Sequence, residues 1–478
     1  MKRSRRAFSS ESISSCVLTG LSAVTRANVG RAEAPSTPPV PWSARLTVVK
    51  VKPDGKCAIV GGSPISAYSG PAVTLFLPIL TTVVVGSFAI AFAFYMYVVA
   101  LSAQPLIDFD VYTQASKALL AGENIYSKPY AVIDRAGRVV TLPYLYPPFL
   151  AHLLSTCASL PQTTLKVGWC LLNFFCMLCT VLCLSSFVEP SWWGRISRVN
   201  RILLLGFFTF CFEPIYVGLG DGQVTGIVMA LFSLFVAASM RGKQVWAGIA
   251  LAAAIQIKMS PALLILAPLL FRQWRTVASC LVAVVGISLI SFLELGTWAP
   301  TRDFFQSLGG TVDDSLLGGF TFNFVLNRVL LDPIGLGGST AARWALKVAS
   351  AALTVVGAAL LSRQQDHAYL RVNAFLITCM IMLSPIIWFH HLAWMLLPIA
   401  VLSMRPATTS DDHLRNLTIA LGLYFGLSQT MLLLHWTLKL TPGLLPVVML
   451  VPPGLLVSIG ASLYSHKVPQ FGGSNVAH

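Results

Sequence analysis

The sequence predicts an all-α polytopic membrane protein with about twelve crossings, two short hairpins within the membrane, and outward-facing loops that carry short helices. Three observations lead there. Of the 478 residues, 55% are hydrophobic and 11% are charged, whereas a soluble domain carries roughly 25% charged residues. Residues 74–100, 164–187, 276–293 and 444–464 are long apolar runs, each about the length an α-helix needs to cross a hydrocarbon core of roughly 30 Å. The Lys and Arg residues behind the net charge of +15 gather at the ends of such runs rather than on one soluble face. They read as topology markers, not as a nucleic-acid footprint.

Residues 1–70 differ from the rest, with ten Lys or Arg, three acids, many Ser and Pro, and no sustained apolar period. This composition predicts a disordered basic cytoplasmic tail; a transit peptide is the other reading of its Arg- and Ser-rich start. No secretory signal is expected, because the first long apolar run begins after residue 70. The membrane domain is expected over residues 71–466, followed by a short cytoplasmic tail, 467–478. With the basic tail inside, the remaining basic clusters can all be inside as well: Arg195, Arg198 and Arg201; Arg241 and Lys243; Arg272 and Arg275; Arg363 and Arg371; Arg405 and Arg415; Lys467. That requires an even number of crossings between successive clusters, so residues 245–271 and 372–403 become hairpins. Each arm of the first is about 20 Å long at 1.5 Å per residue, which stops its tip, Lys258-Met259-Ser260-Pro261, within the outer half of the membrane. The second bends near Pro385 to His391. Irregular polar backbone at that depth needs protein or water around it, so the two tips suggest a cavity that opens outward, below the outside segments 101–163 and 296–343. Residues 148–160 are too short to span and read as a re-entrant or surface helix.

Cys170, Cys176, Cys179 and Cys183 lie in one apolar run. The Cys176-x-x-Cys179 spacing lacks the accessible, electropositive setting of a redox pair, and packing is the expected role. The polar residues of the outside segments are more informative. Ile107-Asp108-Phe109-Asp110-Val111-Tyr112 opens a short helix, with Asp108 at the N-cap position and Gly122 at its C-terminal end. At about 100° per residue, Asp108 shares an inward face with Tyr112, Ala115 and Leu119, while Asp110 faces water with Gln114 and Lys117. Asp108 is then a helix cap or a functional carboxylate. In Tyr144-Leu145-Tyr146-Pro147-Pro148-Phe149 the prolines hold the chain extended, and the aromatics either stack on a sugar or belong to the interfacial belt. Gly220-Asp221-Gly222-Gln223-Val224-Thr225 is a turn whose Gln223 heads the next helix and can present hydrogen-bonding groups to a cavity.

Lys258 within a membrane segment must be paired or hydrated, or else snorkel outward. His390 and His391 are adjacent, and on a regular helix only one of them can face the site. With no His-x-x-x-His and only Asp108, Asp110 and Asp221 as nearby carboxylates, no metal is expected. Asn323 and Arg328 lie among Phe320, Phe322 and Phe324; Arg328 can pair with a substrate phosphate or with a lipid headgroup.

Taken in order, Asp108 to Tyr112 with Gly122 and Tyr126, Tyr146-Pro147-Pro148, Gly222-Gln223-Val224-Thr225, Ala247-Gly248 through Lys258 and Pro261, and Leu383-Ser384-Pro385 with Trp388, His390 and His391 resemble glycosyltransferase family 87 over roughly residues 75–464. The resemblance implies the C-type glycosyltransferase fold, an integral protein of the bacterial inner (plasma) membrane, and a site on the periplasmic or exterior face. It also implies a polyprenyl-phosphate-linked sugar donor, mannose foremost, a lipid or glycan acceptor, no cofactor, and an inverting transfer in which Asp108 takes the proton of the acceptor hydroxyl. Asp110, Tyr112, Tyr146, Gln223 and Asn323 join it as substrate-binding candidates. Lys258, His390 or His391, and Arg328 are the candidates for holding the phosphate that leaves. The chain departs from the family pattern at Phe322-Asn323-Phe324, where Asn-x-Ser is expected.

The donor also suits the topology, because a lipid-linked sugar is presented at the outer surface, where the polar residues collect, and no Gly-rich nucleotide-binding fold is legible. A secondary transporter or lipid/polysaccharide flippase is the rival, since broken helices and an intramembrane Lys are also transporter features; a non-catalytic partner of an envelope assembly complex is a third reading. Because residues 1–70 lack the periodicity needed to pack on a membrane domain, a chain beginning near Ser69 is expected to retain turnover, checked by assaying both lengths at equal membrane expression.

Overall fold

A computed structural model describes residues 48–51, 57–60, 106–134, 137–187, 198–310, 331–336, 339–363, 367–384, 389–403 and 410–428. The apolar runs at 74–100 and 444–464, and the site candidates Asn323 and Arg328, lie outside these residues. Residues 1–72 and 73–478 form two separate units. In the first, β1 (Val48–Val51) pairs antiparallel with β2 (Cys57–Val60). The sequence reading did not anticipate this pair, although β-branched residues on either side of Pro53-Asp54-Gly55 suit a hairpin.

The second unit begins with α1 (Ile107–Leu120), followed by β3 (Tyr130–Ile133) and β4 (Val139–Leu142). The hairpin corrects the expectation of an all-α chain. Tyr130 and Val132 are buried while Ala131 and Ile133 are exposed, the alternation of a half-buried strand. Its turn is closed by Asp134, whose Oδ1 accepts from the Arg138 backbone N–H at 2.8 Å and whose Oδ2 accepts from Arg138 Nε at 2.7 Å. Next comes α2 (Pro148–Ser155), eight residues long and started by a proline at its first position, where the missing N–H costs no hydrogen bond.

The remaining helices follow. α3 (Gln162–Phe187) matches the second apolar run. α4 (Arg198–Phe210) and α5 (Glu213–Asp221) are bent by 61° to each other. Pro214 cannot continue α4, and the Glu213 N–H freed there donates to Ser428 Oγ at 3.2 Å. α6 (Thr225–Met240), α7 (Gln244–Ile257), α8 (Leu266–Leu270) and α9 (Trp274–Leu295) come next, with a 3₁₀ turn at Ser260–Ile265 between α7 and α8. α10 (Ala299–Gly310), α11 (Thr340–Ser362) and α12 (Ala368–Leu383) precede a second 3₁₀ turn, Phe389–Met395, and α13 (Leu396–Ser403) and α14 (Ser410–Ser428) close the described chain.

Among the described residues, Gln162–Ser186, Trp274–Leu295 and Thr340–Ser362 are long and apolar enough to cross a membrane, or four spans if the bent α4–α5 pair counts as one. Six further apolar helices are shorter, at 10–17 residues. The chain is a mostly helical membrane protein. α9 carries the outer surface expected of one, with Val282, Val285 and Leu293 at 71%, 64% and 69% exposure. Both helix interruptions expected inside the membrane are present: α7 ends at Ile257, where Lys258 turns extended with φ −148° and ψ 128°, and α12 ends at Leu383.

α3, α6, α7 and α9 pack in succession, and the α7–α9 contact depends on a glycine. A Cβ built on Gly248 would lie 2.0 Å from Ser279 Oγ, 2.5 Å from the Thr276 carbonyl oxygen and 2.7 Å from Cys280 N. Ser279 can swing away; the α9 backbone cannot without moving the helix. Gly248→Ala is expected to destabilise the protein by about 1–3 kcal/mol as overpacking does, read as a lower unfolding temperature in detergent.

Candidate active site

α1 brings its first turn against the turn between α5 and α6. Asp108 lies in that first turn, not at the cap: the cap residue is Leu106, which offers no side-chain hydrogen bond. Tyr112, Ala115 and Leu119, the expected inward face, are buried. Gly122, just beyond the helix end, has φ +73°, the left-handed conformation for which glycine is suited. The close approach of α1 depends on Gly222, also left-handed at φ +75°, where a Cβ would lie 2.7 Å from Phe109 Cβ and 2.8 Å from Leu106 Cβ. Immediately after it, buried Gln223 accepts at Oε1 from the Tyr112 hydroxyl at 3.1 Å and the Tyr146 hydroxyl at 2.8 Å. Two donors on Oε1 leave the amide nitrogen to donate elsewhere.

The tyrosine rings meet edge to face at 4.8 Å between centroids. Burial above all, with the neighbouring Tyr146 and Asp108 adding to it, pushes the Tyr112 hydroxyl well above the usual tyrosine range. Burial and then Asp108 do the same to Tyr146. Both stay protonated and therefore remain donors.

The second half of the site comes from the two helix interruptions. Because Lys258 leaves α7 in an extended conformation, its side chain turns away from the helix axis into a box of rings. Its Nζ is 5.4 Å from the centroid of Tyr146 and 5.2 Å from that of Trp394, within cation–π range, and it hydrogen-bonds His391 Nε2. Asp108 stands in the first turn of α1, one helical turn before Tyr112 and on the same side of the helix as that tyrosine.

His391 stacks on Trp394 at 5.3 Å, and the two histidine rings meet edge to face at 4.5 Å. The 3₁₀ turn resolves the question of the adjacent histidines, since both are buried there, His391 against Lys258 and His390 beside α5. A Cβ on Gly218 of α5 would lie 3.1 Å from His390 Cβ and 3.8 Å from Thr225 Oγ1, so that glycine makes room for both. Among the described residues, His390 Nε2 and Thr225 Oγ1 are each buried without a hydrogen-bond partner.

Asp108, Tyr112, Tyr146, Gln223, Lys258, His390 and His391 thus converge, although they are spread over 284 positions of sequence from 108 to 391. Asp110 does not face water as expected. It points to α3, where Lys166 Nζ is 3.2 Å from both carboxylate oxygens and Gln162 Nε2 donates to Oδ1 at 2.9 Å. Among the described residues no group of three His, Cys, Asp or Glu side chains is arranged to hold a metal.

The pattern for glycosyltransferase family 87 matches residues 144–385, just over half of the chain. The chain belongs to glycosyltransferase family 87. It is similar to the polyprenol-phosphate-mannose-dependent alpha-(1-2)-phosphatidylinositol mannoside mannosyltransferase of Mycobacterium tuberculosis, 23% identical over 326 residues that cover 66% of this chain and 74% of the relative. The protein of the same description from Mycolicibacterium smegmatis is 26% identical over 316 residues, 62% and 69% of the two chains. A phosphatidylinositol pentamannoside mannosyltransferase of M. smegmatis, also polyprenol-phosphate-mannose-dependent, is 29% identical over 301 residues, 61% and 67%.

Within this family 87 chain, the family match takes in Tyr146, Gln223 and Lys258 but begins after Asp108 and ends before His390. The sequence reading missed Trp169 and Trp394. Each lies in an apolar run where an aromatic residue reads as core, yet Trp169 Nε1 donates to the Gly222 carbonyl at 2.8 Å and Trp394 forms a wall of the Lys258 box. Gly222→Ala is expected to lower glycosyl transfer by about tenfold or more, since displacements of about 1 Å at a reacting group can cost 10²-fold. Gly242→Ala, at φ +71° but with open space around its Cβ position, should leave transfer near the parental rate in the same assay.

Proposed function

We propose that the protein transfers mannose from a polyprenyl-phosphate mannose to a hydroxyl of a mannose-bearing lipid or glycan, with Asp108 as the general base. The observation that carries this reading is the meeting, through Tyr146, of the α1 face that bears Asp108 and Tyr112 with the Lys258–His391 pair: the Tyr146 ring lies 5.4 Å from Lys258 Nζ and its hydroxyl shares Gln223 Oε1 with that of Tyr112. Asp108 is a proton acceptor. Lys258, with His391 bonded to it, is a cationic cradle for a phosphate. The donors and acceptors in the relatives' descriptions support the substrate class.

In the proposed reaction the acceptor oxygen forms a bond to the anomeric carbon as that carbon's bond to the phosphate oxygen breaks. The hydroxyl proton passes to Asp108, and the bond electrons leave with polyprenyl phosphate, whose growing charge Lys258 and His391 stabilise. Attack opposite the leaving group inverts the anomeric centre, and the step needs no metal. Tyr112 and Tyr146 fix Gln223 so that its amide nitrogen donates to a sugar hydroxyl. His390 Nε2 and Thr225 Oγ1, buried and without a partner among the described residues, are polar atoms that a bound substrate would satisfy. Asn323 and Arg328 enter this reading from their place in the sequence alone. The site faces the periplasm or exterior, within a membrane domain of residues 71–466 with about twelve crossings by the positive-inside pattern.

Asp108→Asn keeps the shape of the side chain and removes the base. Turnover of radiolabelled polyprenyl-phosphate mannose by purified protein is expected to fall by about 10² to 10⁴, the usual contribution of general-base help, at unchanged thermal stability. Turnover within a few-fold of the parent would end the assignment of Asp108 as base.

A further inference from the structure

Four polar or aromatic residues of α3, Gln162, Lys166, Trp169 and Asn173, stand at intervals of four, three and four. At about 100° per residue they fall within about 60° of one another on a single face of the helix. That face grips α1 and the Gly222 turn. Gln162 Nε2 donates to Asp110 Oδ1 at 2.9 Å and is 3.3 Å from Thr113 Oγ1. Lys166 pairs with Asp110, both largely buried, at 14% and 19% side-chain exposure. The Trp169 ring lies 5.0 Å from Phe109 and 5.9 Å from Tyr112, and its N–H holds the Gly222 carbonyl. Asn173 meets α6 at Gly226, where a Cβ would lie 2.8 Å from Asn173 Oδ1.

On α1 the residues that α3 hydrogen-bonds, Asp110 and Thr113, lie on one side, while the Trp169 ring also reaches Phe109 and, nearer the face of Asp108, Tyr112. Asp108 is about 160° around the helix from Asp110. Holding one side of a helix so short therefore aims the other. Two residues of the stripe bind Asp110 directly, and a third bonds the turn that carries Gln223.

We propose that the Asp110–Lys166 pair and Trp169 are positioning residues that set the rotation and height of α1, so that Asp110 serves as the anchor of the reacting carboxylate rather than as a substrate ligand. This rests on the assignment of Asp108 as base. A substrate ligand would have its oxygens turned to the site, whereas both Asp110 oxygens are engaged by α3. A surface ion pair would be worth little and would be screened by salt; a largely buried one, fixed by a third hydrogen bond, has the geometry to resist rotation of α1.

The test is a charge exchange in the full-length purified protein. Lys166→Met is expected to lower kcat by about tenfold or more, with KM for polyprenyl-phosphate mannose within about twofold of the parent, as misplacement of a reacting group does. The double variant Asp110→Lys with Lys166→Asp restores the pair in reverse and should recover at least about fivefold of that loss, the coupling expected of two groups in contact. A swap no faster than the single variants, or a KM that rises while kcat holds, would overturn the proposal in favour of Asp110 as a ligand.

Hydrogen–deuterium exchange over residues 107–120 supplies an arm that needs no turnover. Exchange should quicken in Lys166→Met and return toward the parent in the swap, and unchanged exchange would also overturn the proposal. Should the parent transfer no mannose, the functional reading fails while this arm still decides the anchoring. If Lys166→Met does not fold, Trp169→Phe, which keeps an aromatic ring but loses the bond to Gly222 and part of the packing on α1, is expected to lower kcat several-fold at unchanged KM and to quicken the same exchange.

Discussion

An ammonium group where a membrane helix breaks has no hydration shell to rely on, and its surroundings must replace one. Lys258 finds that replacement in two aromatic faces and a histidine nitrogen. They come from two distant stretches of chain, Tyr146 from the segment before α2 and His391 and Trp394 from the second 3₁₀ turn, and Tyr146 is joined in turn to α1 through Gln223 and Tyr112. Satisfying this one cation draws together elements that are otherwise only neighbours in a helical bundle. The break itself is necessary, because a lysine on a continuous α7 would be held to that helix's own surface.

The same constraint explains the small residues at the site. Gly218 leaves room beside His390 and Thr225, and Gly222 lets α1 settle on the turn before α6. A Cβ at Gly222 would push the start of α1 off that turn, and one at Gly218 would press on His390 by a few tenths of an ångström. Both glycines lie at or near the end of α5, and α5 exists as a separate helix because Pro214 follows the end of α4. A local backbone rule in the middle of an apolar run thus reaches the geometry of the site. Burial of the tyrosines does the rest, keeping their hydroxyls protonated and Gln223 in a fixed orientation.

Family membership and site geometry rest on different residues. The match to glycosyltransferase family 87 runs from 144 to 385, whereas Asp108 and the histidine pair lie on either side of it. What binds those flanks to the matched core is packing: α1 against the Gly222 turn and α3, and the second 3₁₀ turn against α5. The Asp110–Lys166 pair belongs to that packing; Asp110 lies in the motif that Asp108 opens, whereas Lys166 lies in none of the motifs read from the sequence.

The sequence by itself determined the membrane class, the apolar helices α3 and α9, the helix beginning near Asp108 with its buried face, and the two interruptions at Lys258 and after Leu383. Each is a local consequence of composition, period or a helix-breaking residue, and local rules act on neighbours in the chain. It did not determine the β3–β4 hairpin, whose four-residue strands are too short for their period to compete with a helical reading. Nor did it determine where Asp110 points, since a helix face is inward or outward only relative to what packs on it, and α3 begins more than forty residues later. The role of Trp169 and the joint burial of His390 and His391 were decided by tertiary structure for a similar reason. An aromatic in an apolar run looks the same in a core and in a site, and two adjacent histidines are both buried only when something packs on each side of their turn, here Lys258 against His391 and α5 against His390.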